Sequence, residues 1–312
     1  MLWVTGASGF VGTQLLRRLR RDGVAALALA RDPRRLPAHW AAVAWDLEGR
    51  APDVASLPRP SGLLHLAALA HVPECERDPQ RARAVNVAGP ARLYEAVLER
   101  WPQTPVLHVS SAYVYRPQPA PVREEDAVEP ASVYGVTKLE GEALALGLRD
   151  RGHRVSVLRP FNHSGAGQDA RYVLPSFALR LAALERRGGG TLEVGNLHSV
   201  RDFLHVSQVA QAYLDLLPRA GEFEILNVCS GTGQRVGDLL DGLQARLHVP
   251  VSVRVDGSRL RGAADAERLV GDPSRLQAAL GRSLRLDREA LLDELIEDAR
   301  RRVAAGESVA GA

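Results

Sequence analysis

Eight residues near the start, TGASGFVG at positions 5–12, constrain this chain more than any other stretch. They follow an apolar, strand-like run at 2–5. They open an amphipathic stretch over about 10–21 in which Leu15, Leu16 and Leu19 recur at helical spacing. A backbone that turns this tightly from strand to helix, and lets a pyrophosphate come close, needs glycine at the contact points. Gly6, Gly9 and Gly12 supply it. The helix start adds free N–H groups and the positive end of its dipole. Ser8, Phe10 and Val11 complete the turn and are expected to border the dinucleotide too.

Beyond this first unit the chain keeps an alternating rhythm. Apolar strands are predicted at 24–30, 42–45, 63–66, 106–109 and 155–158. Helices are predicted over about 79–100 and 132–151, the second capped by Ser132. This is the pattern of an α/β fold whose parallel sheet is covered on both faces. After Arg159 and Pro160 the rhythm breaks. Residues 162–171 read as loop, and a helix at about 175–187 ends at three glycines. We therefore expect a dinucleotide-binding domain over 1–160, with returning segments within about 201–230. A smaller α/β substrate-binding domain over 161–312 would cover the carboxyl edge of the sheet.

Composition narrows the classes. The net charge of +3 is mild and the arginines are scattered, which argues against a nucleic-acid partner. Cys75 and Cys229 lie far apart in unlike contexts, so neither a disulfide framework nor a metal site is expected. No apolar run reaches the roughly 18–20 residues of a membrane span, and the chain opens directly on a strand. The expectation is a cytoplasmic enzyme with no membrane association.

Where the second strand ends, an acid often binds the ribose hydroxyls of NAD. Here the chain reads Ala30, Arg31, Asp32. A cation suits the 2′-phosphate of NADP, so NADPH is the preferred cofactor. Asp32, displaced by one residue, keeps NAD possible. Asp46 and Leu47 end the third strand, where they can meet the adenine edge.

Of the 40 lysines and arginines only one is lysine, Lys138. It stands four residues after Tyr134, on the same helix face. An ammonium there can lower the tyrosine pKa and hydrogen-bond the nicotinamide ribose. A forked guanidinium is no substitute. Ser111, at the end of the fifth strand, can share the tyrosine's hydrogen bond to a substrate carbonyl.

With these parts in order, the chain resembles the extended short-chain dehydrogenase/reductase family of sugar-nucleotide epimerases, dehydratases and reductases. TGASGFVG, HLAALA (65–70), SSAYVY, YGVTK and RPFN (159–162) carry the likeness. Within the family, RPFNHSGAGQ (159–168), YVLPSFA (172–178), LEVGNLHSVRDF (192–203), LNVCSG (226–231) and VGDPSRL (270–276) look like the GDP-4-dehydro-6-deoxy-D-mannose reductases, which make GDP-D-rhamnose. The resemblance implies a Rossmann-type sheet and catalysis by Ser111, Tyr134 and Lys138. It places Leu66, Ala67, Ala68 and Pro160 against the cofactor, and Asn162, Arg180, Asn196, Arg201 and Arg261 against the GDP portion. A homodimer paired through helices 79–100 and 132–151 would be usual for such a protein.

Departures matter as much. The dehydratases carry an acidic pair after the catalytic hydroxyl, and this chain has Ala112 and Tyr113. The fucose-forming relatives use a cysteine there and a histidine where Tyr172 stands. The expectation is therefore reduction of a GDP-4-keto-6-deoxyhexose without inversion at C3 or C5. The alternatives are a 4-epimerase or a reductase of another keto-sugar. A more distant one is a non-catalytic NAD(P)-binding protein.

Overall fold

The computed structural model describes residues 1–257 and 267–307. Seven strands form one parallel sheet: β1 (Leu2–Thr5), β2 (Ala26–Ala30), β3 (Ala41–Ala44), β4 (Gly62–His65), β5 (Val106–Val109), β6 (Val155–Pro160) and, returning from later in the chain, β10 (Ile225–Val228). Their spatial order is β10-β6-β5-β4-β1-β2-β3. The order reverses at β1, which opens a crevice at the carboxyl ends of the strands.

Strand periodicity divides the core. On β1, Leu2 and Val4 face one side. There Leu15, Leu16 and Leu19 of α1 (Phe10–Arg21) meet Val209, Tyr213 and Leu216 of α7 (Val206–Leu216). Trp3 faces the other side. There Leu93, Tyr94 and Val97 of α4 (Gly89–Arg100) meet Ala145 and Leu148 of α5 (Val133–Asp150). Each leucine buried this way contributes roughly 1.5–3 kcal/mol. A third core joins α6 (Val173–Arg186), α8 (Val236–Gln244) and α10 (Arg288–Ala304) through Leu181, Leu240, Leu295 and Ile296.

Two smaller sheets border the crevice. β9 (Val200–His205) pairs with β7 (Asn162–Ser164), β11 (Gly233–Arg235) and β13 (Arg268–Leu269), and β8 (Gly190–Val194) pairs with β12 (Val251–Val255). α9 (Ser274–Leu280) packs beside β10. Among the described residues no helix is long and apolar enough to cross a membrane.

Three expectations change. The helix expected over 79–100 is α3 (Pro79–Arg83), a wide π turn at Ala84–Ala88, then α4. Pro90 explains the break: it has no N–H for the Asn86 carbonyl, and its ring crowds that carbonyl. An additional helix, α2 (Val72–Arg77), precedes it, with a proline in its first turn, where the missing N–H costs nothing. The expected loop at 162–171 begins with β7, whose partner lies about forty residues on, so no local pattern announces it.

Candidate active site

Gly6 sits at φ +66°, and a Cβ there would stand 2.8 Å from the Ala67 N. A Cβ on Gly12 would overlap the Gly6 carbonyl. The turn is therefore a cradle that side chains would fill. Gly9 begins α1 with no side-chain cap, and no acid occupies the first turn. Its N–H groups and dipole are left for an anion, so these residues fit a dinucleotide pyrophosphate.

The opposite rim is held by hydrogen bonds. Thr5 Oγ1 accepts from the Leu66 and Ala67 N–H groups, both at 3.1 Å, and so donates to His65 Nδ1 at 2.9 Å. Asn86 adds a clamp that sequence reasoning missed. Its Oδ1 accepts from Leu69 N at 2.8 Å. Its Nδ2 donates to Leu69 O at 3.1 Å and to Thr137 Oγ1 at 2.9 Å, joining the 66–70 loop to α5. The one sequence signal was an asparagine inside a helical run, where it is a poor helix former.

All the sequence-predicted site residues but one line a single cleft of about 1400 Å³. Gly6, Ser8, Gly9, Phe10, Val11 and Gly12 form one end, with Leu66, Ala67 and Ala68 beside them. Arg31, Asp46 and Leu47 stand at the outer edge, Arg31 and Asp46 exposed. Arg35 lines the same edge and was not anticipated. Ser111, Tyr134, Lys138 and Pro160 lie at the centre, and Asn162, Arg180, Asn196 and Arg201 at the far end. Arg261 lies outside the described residues.

Local chemistry orients the centre. Ser132 caps α5 by accepting from Gly135 N at 3.1 Å, which starts the helix one residue before Tyr134. Ser111 caps the next short turn through Tyr113 N at 3.2 Å. Burial pushes the Tyr134 phenol above its ordinary value, and the nearby Ser111 hydroxyl opposes that. The lowering expected from Lys138 is not expressed in this arrangement, because Lys138 Nζ is turned to the Val109 carbonyl at 2.6 Å. Burial pulls the ammonium down to about 8, opposed by Glu142 one turn along α5.

The far end carries donors and one open acceptor. Arg180 and Arg201 are buried, and Asn162 Oδ1 is buried with no hydrogen-bond partner among the described residues. Asn196 Oδ1 accepts from His198 N at 2.8 Å, leaving its amide nitrogen toward the cleft lining. Asp202, next to Arg201, is an internal anchor. It accepts from Ser230 N at 2.9 Å, Ser230 Oγ at 2.6 Å and Gly231 N at 2.8 Å. Part of the resemblance in 192–203 and 226–231 is therefore scaffold.

His163 donates Nδ1–H to Phe161 O at 3.1 Å, and burial lowers its pKa. His71 also lines the cleft, beside Asp169. Cys75 lies near Tyr134 and Tyr172. Its thiol bonds Leu69 O at 3.3 Å, and burial pushes it up to about 11.

The chain is similar to several known proteins. Residues 2–229 match the model of the NAD dependent epimerase/dehydratase family. GDP-6-deoxy-D-mannose reductase of Pseudomonas aeruginosa is 35% identical over 90% of each chain. GDP-6-deoxy-D-talose 4-dehydrogenase of Aggregatibacter actinomycetemcomitans is 28% identical over 95% of this chain and 96% of its own. The solved structure of RMD from Pseudomonas aeruginosa complexed with NADPH is 32% identical and superposes with a TM-score of 0.82, covering 96% of this chain and 99% of that one.

Proposed function

The chain belongs to the NAD dependent epimerase/dehydratase family, and from that premise we propose that it reduces the 4-keto group of a GDP-4-dehydro-6-deoxyhexose, GDP-4-keto-6-deoxymannose, to give GDP-rhamnose. The observation that carries the reading is the gathering of Ser111, Tyr134 and buried Lys138 in one cleft that runs from the glycine cradle to two buried arginines.

In this reading residues 1–160, with the returning segments within 201–230, hold the cofactor, and 161–312 hold mainly the sugar nucleotide. NADPH is the cofactor and supplies hydride to C4. Tyr134 gives its proton to the C4 oxygen, while the Ser111 hydroxyl bonds that oxygen and steadies the charge growing on it. Lys138, charged below about pH 8, holds the ribose hydroxyls and favours the ionised phenol that remains. Arg180 and Arg201 meet the diphosphate with Asn162 and Asn196 in this reading, amide and guanidinium donors being the groups such an anion takes. The likeness to the two GDP-sugar enzymes supports guanosine as the nucleotide.

The test is incubation of the purified protein with GDP-4-keto-6-deoxymannose and NADPH, followed by NMR of the product. We expect one NADPH consumed per GDP-rhamnose formed. No consumption of NADPH with this substrate would overturn the reading.

A further inference from the structure

Two tyrosines that the proposed chemistry does not use stand over the reaction centre. Tyr113 comes from the turn that Ser111 caps, and Tyr172 from the position just before α6. Both remain exposed, at 36% and 37%, and Val173 beside them at 36%. All three line the cleft. Neither phenol has a hydrogen-bond partner among the described residues. The Tyr113 ring meets Tyr134 edge-on, with centroids 6.1 Å apart and planes at 67°. The Tyr172 and Tyr113 hydroxyls both act electrostatically on Tyr134 and on each other, so the three phenols converge.

The main chain that carries each ring is held in place. Tyr113 N–H donates to Ser111 Oγ, and its carbonyl lies where any side chain on Gly135 would strike it. Tyr172 N–H donates to Asp169 O at 3.2 Å, and its carbonyl accepts from Ser176 N at 2.9 Å. Tyrosine on a held main chain has only two torsions left to lose when a ligand arrives.

We infer that Tyr113 and Tyr172 clamp the hexose at the two positions flanking the reacting carbon, and that with Val173 they select a sugar whose C6 is a methyl over one whose C6 carries a hydroxyl. This rests on the reading that Tyr134 protonates C4. The neighbours of C4 are C3, with its hydroxyl, and C5, with C6, so the groups around Tyr134 must contact both. The free phenols suit the C3 hydroxyl. Ring edges and the Val173 methyls suit a methyl, whereas a hydroxyl against Val173 would lose water without gaining a partner.

The experiment is calorimetric titration of the NADP⁺-loaded protein with GDP, GDP-mannose and GDP-6-deoxymannose. The wild type is expected to bind the 6-deoxy sugar about tenfold to a hundredfold more tightly than GDP-mannose. Val173→Ser should bring that ratio close to one. Tyr113→Ala and Tyr172→Ala should weaken both sugars while leaving GDP affinity unchanged, and Tyr172→Phe, which keeps the ring and loses the phenol, should restore only part of the loss. A wild-type ratio near one, or alanine variants that lose GDP as strongly as the sugars, would overturn the clamp. Failure of GDP itself to bind would instead sink guanosine in the functional reading. The clamp would then be tested with the same 6-deoxy and 6-hydroxy pair on a dTDP nucleotide.

Discussion

The Asp32 carboxylate is closed on Arg34, accepting from its Nε at 2.8 Å, from its Nη2 at 3.2 Å and from its backbone N–H at 3.1 Å. The pair stands in solvent, with the Arg34 side chain 90% exposed, and Asp32 lines the cleft edge. Arg31 and Arg35 flank it on the cleft edge, and no ion pair to a described residue holds either one. Arg31→Ala and Arg35→Ala should each weaken NADPH by roughly 1.5–3 kcal/mol, the scale of one hydrogen bond to a charged group. NADH should change little. Fluorescence titration with both cofactors checks this, and equal losses for the two would remove the argument.

Tyr134→Phe should lower turnover about 10²-fold or more, the usual scale of a lost general acid. Cofactor affinity should hold, because the ring stays and Lys138 keeps its bond to Val109 O. Single-turnover kinetics beside an NADPH titration separates the two effects. A Phe variant as fast as the wild type would end the assignment.

Reduction should leave C3 and C5 untouched. Inverting either carbon needs one group to remove a proton and another to return it on the opposite face. Tyr113 and Tyr172 stand where relatives place such groups. Of the nearby alternatives, Cys75 is held protonated by burial, and burial makes His163 a weaker base. Run in D₂O, the product should carry no enzyme-dependent deuterium at C3 or C5. Deuterium at either carbon would point to His71 or His163 as a base.

His65 makes stability depend on acid. Burial holds its pKa at about 3 in the folded protein, against an ordinary value of 6.5. Above pH 6.5 the ring is neutral in both states and contributes nothing to the pH dependence. As pH falls from 6.5 toward 3 the unfolded chain takes up a proton that the folded chain refuses, and stability is lost. Between pH 7 and pH 5 this amounts to about 2 kcal/mol. Urea unfolding at the two pH values should show His65→Gln losing about that much less than the wild type over the interval. Equal losses would refute the account.

Much of this protein was legible before any coordinates. The parallel sheet followed from six short apolar runs alternating with amphipathic helices. The cofactor cradle followed from three glycines at fixed offsets, and Tyr134, Lys138 and Ser132 from spacing along one helix. These signals are local: strand period, helix period and turn chemistry are each settled within a few residues. The broken helix at 84–88 was also within reach, since Pro90 is its cause, but a long amphipathic run masked it.

What only the tertiary structure decided depends on partners distant in sequence. β7 exists because β9 pairs with it, and Asn86 matters because Leu69 and Thr137 come to it from either side. Asp32 was an open candidate in the sequence and pairs with Arg34 in the fold, while Arg35 enters the cleft only through the short turn at Pro33–Arg35. The direction of a pKa shift was least legible of all. The sequence places an ammonium one turn from Tyr134. Burial, which no linear pattern states, raises the phenol, lowers Lys138 and holds His65 neutral. Spacing along the chain fixes which groups can meet, and enclosure by the remainder of the molecule sets the charge they carry when they do.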